Sequence, residues 1–484
     1  MRNRNLKLNQ RRNRRVPPSS RRVSSRLRPS ALMVAGRELV AFHELFAEHF
    51  DRIEQRCWSA FYLSGQLSNV ERKTIEPMVL ALRGVEPETI RAVQQFIGQS
   101  RWAPLPLIVQ LEALVADWLG EPDGVVIVDG SGFPKRGAHS AGVARQYCGR
   151  LGKVENCQEG VFAVYASSRG HAFLNGQLYL PEKWLEPAYA EHRMRCGIPP
   201  HTTFQTEPQI AVGLIRQLVE HARVPFRWVT ADEEFGRNPG FLDSLAMLQK
   251  WYLAEVPANT RVWLRTPHVQ APGQGLLGRP RVYPRVWRSA PLPRSVQEVA
   301  ASLSASAWKR RLIKEGGKGP MWAEFAWLRV TTIRDKLPGP RVWLLLQRSV
   351  GPRPEIKYYL SNAPASCPST ELVRLTGYRW PIETAFEEAK GEVGMAHYET
   401  RSWQGWHHHM VQSFMAHLFL VRLQHVLQKK SGHYHQSDAG HHRSCDRQRA
   451  SRRSRHARLR SLSSEAKSQR LSFTPQAHAL SIAV

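Results

Sequence analysis

The sequence predicts an α/β protein: a mixed-sheet core with a helical unit in front of it and a β-rich insertion towards its end. Three observations carry this. From Ala41 to Leu119 the apolar residues recur at helical spacing. Beyond Pro122 the pattern changes to short β-rich runs, Val125 to Val128, Gly160 to Ala166 and Phe173 to Leu180, around a glycine-punctuated stretch from Gly130 to Gly152. Helices and strands then alternate, and three strands followed by such alternation indicate a mixed sheet.

In chain order, residues 1–36 read as a basic disordered arm; the first thirty hold 11 Lys or Arg and no acid. Residues 37–120 form the helical unit, where Ser68 and Glu71 make a capping box ahead of Ile75, Met78, Val79 and Leu82. Residues 121–260 make the first part of the core, with helices at Gln209 to His221 and Pro239 to Lys250 and strands at Phe226 to Thr230 and Tyr252 to Val256. Residues 261–350 are the insertion, rich in Trp and Arg, with β-like runs at Arg261 to Arg265, Ala323 to Thr331 and Arg341 to Gln347. Residues 351–428 close the core with a strand at Lys357 to Leu360 and helices at Pro381 to Val393 and Trp406 to Gln428. Residues 429–484, with 12 basic and 3 acidic residues, read as a low-complexity tail.

The net charge of +29 therefore divides into +11 on the first arm, +9 on the tail and +9 on the body. An acidic partner follows, and 15 Trp with 17 Phe exclude disorder as the main state. The six cysteines are scattered without a CxxC pair, as in a reducing compartment. The most apolar stretch, Met415 to Leu423, is broken by His417 and Arg422 and falls short of the roughly 18 residues of a membrane span. A cytoplasmic protein that meets nucleic acid and no membrane is expected.

In so basic a chain the acids at the ends of apolar strands stand out. Asp129 follows Val125–Val128 and precedes Gly130; Asp232 follows Trp228–Ala231 and precedes a loop with Gly236 and Pro239. Such positions project a carboxylate from a rigid sheet, which suits a metal ligand; capping of a turn is the plainer alternative for each. Glu383 lies in the first turn of a helix that Pro381 opens, beside an apolar stripe of Ile382, Phe386, Ala389 and Val393. Glu383, Glu387 and Lys390 form a parallel polar stripe, which a solvated face would also explain. Together, two Asp and a Glu supply hard oxygen ligands for paired Mg²⁺ or Mn²⁺ ions in phosphoryl transfer.

At these residues the sequence resembles the DDE transposases of bacterial insertion sequences, in the group with a β-strand insertion before the final Glu and a YREK signature around it. The resemblance runs from about residue 40 to 428. It is carried by VVIVDGSGFPKRG (Val125 to Gly137), HSAGVARQYCGRLGKVENCQEGVF (His139 to Phe162), WVTADEEFG (Trp228 to Gly236), KEGGKGP (Lys314 to Pro320), YYLSNAP (Tyr358 to Pro364) and RWPIETAFEEAKGEVGMAHYETRSWQGWHHH (Arg379 to His409). It implies a ribonuclease-H-like core in which Asp129, Asp232 and Glu383 are catalytic and bind two metal ions, Mg²⁺ or Mn²⁺. It also implies that Arg379 and Lys390 hold the transposon end. The Tyr of the signature falls on Thr376, with Tyr378 out of register, and the second acid of many relatives falls on Gly130. The implied reaction is metal-assisted cleavage at each element end, followed by attack of the freed 3′ hydroxyl on target DNA. Double-stranded DNA is the expected partner and a homodimer on DNA the expected assembly. A metal nuclease of the same fold without strand transfer, or a DNA-binding remnant without catalysis, are the alternatives.

Lys135, Arg136, Arg145 and Lys153 flank the acids and are further candidates for phosphate contacts, Lys135 and Arg145 foremost. Trp287, Trp308 and Trp322 are candidates for stacking on an unpaired base. Consecutive helical residues point about 100° apart, so His407, His408 and His409 cannot chelate one ion and read as a polar helix face. His433, His435, His441, His442 and Cys445 lack zinc-site spacing, and Gly316, Gly317 and Gly319 lack the context of a nucleotide loop.

Overall fold

The computed structural model describes residues 29–149, 151–273, 282–316 and 319–432. The histidines and the cysteine of the tail, and nearly all of both expected basic arms, lie outside these. Five helices open the chain: α1 (Pro29–Ala47), α2 (Ile53–Leu67), α3 (Ile75–Arg83), α4 (Pro87–Gly98) and α5 (Pro104–Leu119). Proline begins α1, α4 and α5, where its missing N–H costs no hydrogen bond and its φ is already helical. Helix α1 therefore starts inside the stretch read as an arm. Ser68 does not open α3. Its N–H and its hydroxyl both bond to the Gly65 carbonyl, so it closes α2, and Thr74 stands at the start of α3.

The core follows as strands β1 (Val125–Pro134), β2 (Ala144–Cys148), β3 (Lys153–Ser167) and β4 (Gly170–Leu178), then helices α6 (Ala190–Arg195) and α7 (Glu207–His221). Next come β5 (Trp228–Ala231), the short helices α8 (Glu233–Gly236) and α9 (Pro239–Met247), and β6 (Trp251–Val256). Strands β1 and β3 pair antiparallel, as do β3 and β4, whereas β5 lies parallel to β1 and β6 parallel to β5. The order β4-β3-β1-β5-β6 is that of a ribonuclease-H-like sheet. Val125 to Val128 are buried on both faces of it, which is why that run does not alternate with polar residues.

The insertion starts with four two-residue strands, β7 (Arg261–Val262), β8 (Val269–Gln270), β9 (Arg285–Val286) and β10 (Arg294–Ser295), and helix α10 (Val296–Ala301). It continues as β11 (Lys309–Gly316), β12 (Gly319–Arg334), β13 (Leu337–Ser349) and β14 (Ile356–Ser361). Asp335 and Lys336, with φ of 50° and 67°, make the tight turn that matches the strand twist between β12 and β13. Strand β14 then pairs antiparallel with β6, Tyr358 opposite Val256. The long hairpin is thus an extension of the core sheet, and the whole is one sheet of ten strands.

Helices α11 (Ser369–Thr376), α12 (Trp380–Glu392) and α13 (Trp403–Gly432) complete the described residues. Helix α13 is clasped between β4 on one side and α1, α2, α4 and α5 on the other, so the opening helices share one hydrophobic core with the sheet. This overturns the polar-face reading of the His triplet: His408 and His409 are fully buried. The His408 ring stacks on Trp102 at 3.5 Å, with its nitrogens 3.0 and 2.9 Å from the carbonyl oxygens of Ile97 and Trp102. His409 Nδ1 lies 2.8 Å from the Tyr62 hydroxyl. Burial holds both rings well below their ordinary pKa, at about 4 and about 3.

Candidate active site

Val128 and Ala231 are the last partners in the parallel pairing of β1 with β5, so Asp129 and Asp232 stand side by side one residue further on. Neighbouring strands lie about 5 Å apart, which sets the scale of their separation. Asp129 Oδ1 accepts from the Gly130 N–H at 2.8 Å. Asp232 Oδ1 accepts from the N–H groups of Glu234 and Phe235 at 2.9 and 3.4 Å, so it caps α8 and is fixed in place by doing so. The capping role expected as the alternative is real, and it leaves Oδ2 outside those bonds.

Helix α11 and a 3₁₀ turn at Gly377–Arg379 lead the chain across the ends of these strands and into α12. Asp129, Thr230, Asp232, Tyr359, Thr376 and Arg379 line one small pocket there. Glu383, exposed in the first turn of α12, stands at its rim with Oε1 3.7 Å from Arg379 Nε. Burial first, then the charge of Asp232 and to a lesser degree that of Glu383, push Asp129 up to about 7 against the pull of Arg379. Asp232 and Glu383 therefore both act on Asp129, and like charges crowded in this way favour a bound cation.

Arg379 also bonds to Glu255, next to the last residue of β6, which reaches Lys357 of β14 with both oxygens at 3.1 Å. Lys390, two turns along α12, sets its Nζ 2.6 Å from Ser131 Oγ and over the rings of Phe133 and Phe386. Thr376, on the Tyr position of the signature, is buried and donates to the Val373 carbonyl. Tyr378 pairs with Arg374 at 3.0 Å instead of facing the acids.

The other basic candidates are not gathered here. Lys135 turns inward, its Nζ 3.2 Å from the centre of the Tyr398 ring and bonded to the Tyr398 carbonyl at 2.9 Å. Burial pushes it down to about 7, against the pull of the Glu399 charge. Arg145 is exposed on β2, at the far edge of the sheet. Arg136 and Lys153 are also exposed. Of the three tryptophans, Trp308 is buried under Arg348, 4.2 Å above its ring, whereas Trp287 and Trp322 are open to solvent.

Two acids had no signal in the sequence. Glu159 on β3 and Glu207 at the start of α7 flank Gly130, where an added Cβ would meet Glu207 Oε2 at 3.1 Å and Glu159 Oε1 at 3.6 Å. An acid at 130 would add a third carboxylate to that pair. Burial, then Glu207, push Glu159 up to about 8, and burial, then Glu234 and Asp232, push Glu207 up to about 7.

Among the described residues no helix is long and apolar enough to cross a membrane. A probable transposase for insertion sequence element IS701 from Microchaete diplosiphon is 26% identical to this chain over 346 residues, 70% of this chain and 76% of that protein. Among solved structures, similarity extends to the piggyBac transposase synaptic complex with hairpin DNA, at 11% identity and a TM-score of 0.40 over 88% of this chain and 75% of that one. It extends also to the NurA nuclease from Sulfolobus solfataricus, at 11% identity and a TM-score of 0.24 over 56% and 79%. Residues 45–320, which hold Asp129 and Asp232 but end before Glu383, match the family described as DDE superfamily endonuclease, and the chain belongs to that family.

Proposed function

We propose that the protein is an insertion-sequence transposase in which Asp129, Asp232 and Glu383 are the catalytic carboxylates. The observation that carries this reading is the crowding of three acids, from β1, from the end of β5 and from α12, around one pocket in which Asp129 is raised to about 7. The donor set is all oxygen and short of positive charge, which fits hard divalent ions, two Mg²⁺ or Mn²⁺. Asp129, Asp232 and Glu383 would hold such ions, which when bound would supply Lewis-acid polarisation of the scissile phosphate and a more acidic water or hydroxyl.

The chain's own residues do the rest. Asp232 is held by the α8 N–H groups, so its free oxygen keeps one direction. Arg379, tethered by Glu255, offers its guanidinium to a phosphate beside the acids. Lys390 does the same on the Ser131 side, and Arg145 follows the duplex further out. Hydrolysis at each element end frees a 3′ hydroxyl, which then attacks target DNA. Two ends cut in concert call for two copies of the chain on DNA, in the bacterial cytoplasm. With precut element ends, a target plasmid and Mg²⁺, the wild type yields joined product and Asp129→Ala yields none while still binding the ends. Cutting of intact ends without any joined product would replace this reading by that of a plain nuclease.

A further inference from the structure

On the far side of α12 from the acids, three side chains from three distant parts of the chain converge. His171 comes from the start of β4, Glu388 from the middle of α12 and His417 from α13. Nε2 of His171 and Nε2 of His417 lie 2.9 and 3.1 Å from the same Glu388 oxygen, Oε2. The three ligand atoms all lie within 4.8 Å of one another. His417 is 1% exposed and its Nδ1 has no partner, so its tautomer is decided at Nε2. The His171 and Glu388 side chains keep 13% and 14% of their surface, enough for an ion to enter and for a water to reach it.

We propose that His171, Glu388 and His417 form a divalent-metal site, distinct from the catalytic acids, that takes Zn²⁺ and clamps α12 between β4 and α13. Two imidazole nitrogens with one carboxylate are borderline ligands, the set that selects Zn²⁺ over the hard ions suited to an all-oxygen pocket. Bonds of about 2.0–2.2 Å in a tetrahedron put donors roughly 3.3–3.5 Å apart. The carboxylate oxygen thus withdraws from each imidazole by a few tenths of an ångström as the two nitrogens close on the ion. Water completes the fourth position. Without the ion the two imidazoles donate Nε2–H to the carboxylate; with it each ring carries that proton on Nδ1 instead and offers its Nε2 lone pair to the metal.

The site stands on its own residues, so it can fail without touching the reading of the acids. Full-length protein is stripped with a chelator, loaded with Zn²⁺, desalted and assayed for metal; Co²⁺ serves as the spectroscopic probe. The wild type should hold one Zn²⁺ per chain, give the intense visible absorption of tetrahedral Co²⁺, and gain a few degrees in melting temperature. His171→Gln, at the more exposed of the two histidines, and Glu388→Gln should weaken Zn²⁺ binding about tenfold or more and lose the Co²⁺ band. An Asp129→Asn/Asp232→Asn double variant should keep both. Absence of retained Zn²⁺ in the wild type, or retention undiminished in His171→Gln, overturns the proposal and leaves a hydrogen-bonded polar cluster.

Discussion

Helix α12 carries two carboxylates of opposite fate. Glu383, in its first turn, joins Asp129 and Asp232, where burial and like charge drive Asp129 up to about 7. Glu388, five residues on, is the more enclosed of the two, yet the His171 and His417 imidazoles outweigh its burial and hold its carboxyl far below the usual range. Burial raises both Asp129 and Glu388, so the sign of their neighbours decides the outcome. At Glu388 the fold supplies its own compensation, whereas around Asp129 it leaves a deficit of positive charge that Arg379 only partly offsets. An unbalanced cluster costs stability and persists where the imbalance serves a function.

That contrast can be broken by mutation. The largest effect falls on chemistry: Asp129→Ala, Asp232→Ala or Glu383→Gln should each lower end cleavage at least about 10³-fold, with DNA affinity in a gel-shift assay changed little. Next comes Glu388→Gln, which should destabilise chelator-treated protein by roughly 2–3 kcal/mol in urea unfolding, because it removes the charge that both imidazoles address. Asp129→Asn should do the reverse and stabilise metal-free protein by about 2 kcal/mol at pH 8. Its folded pKa of about 7 lies above the ordinary 3.8, so the wild type loses stability as pH rises from one value to the other. The two proteins should converge near pH 4 and separate fully above pH 7, and saturating Mg²⁺ should cancel the advantage of the variant. The smallest effect is that of Arg145→Ala, which should reduce the salt slope of DNA binding by about one charge and leave cleavage at saturating DNA unchanged.

The three acids proposed as catalytic stand out in the sequence because each follows a local rule. Asp129 ends a run of four buried β-branched residues, Asp232 ends a shorter one, and Glu383 follows the proline that opens its helix. Glu159, Glu207 and Glu255 follow none: each sits in an unremarkable strand or helix start, and only pairing with distant elements brings them to Gly130 and Arg379. The His triplet shows the same limit. The 100° step between neighbours correctly excludes shared chelation, but it cannot show that α13 is enclosed on every side. The partners of His408 and His409 include Tyr62, Ile97 and Trp102, some 300 residues earlier. Lys135 looked like a phosphate ligand because its ring partner, Tyr398, is equally remote. The strands of the insertion were visible, whereas the pairing of β14 with β6 was not, since strand partners are chosen by the assembled sheet.

The pairing of β14 with β6 makes the hairpin and the core strands one continuous sheet. Its nine strand positions span about 40 Å from β11 to β2. Glu255 sits at the seam, holding Lys357 of the hairpin side with a pair of bonds and Arg379 with a third. A displacement of the hairpin would therefore be passed on through the sheet, by way of Glu255, to the Arg379 guanidinium.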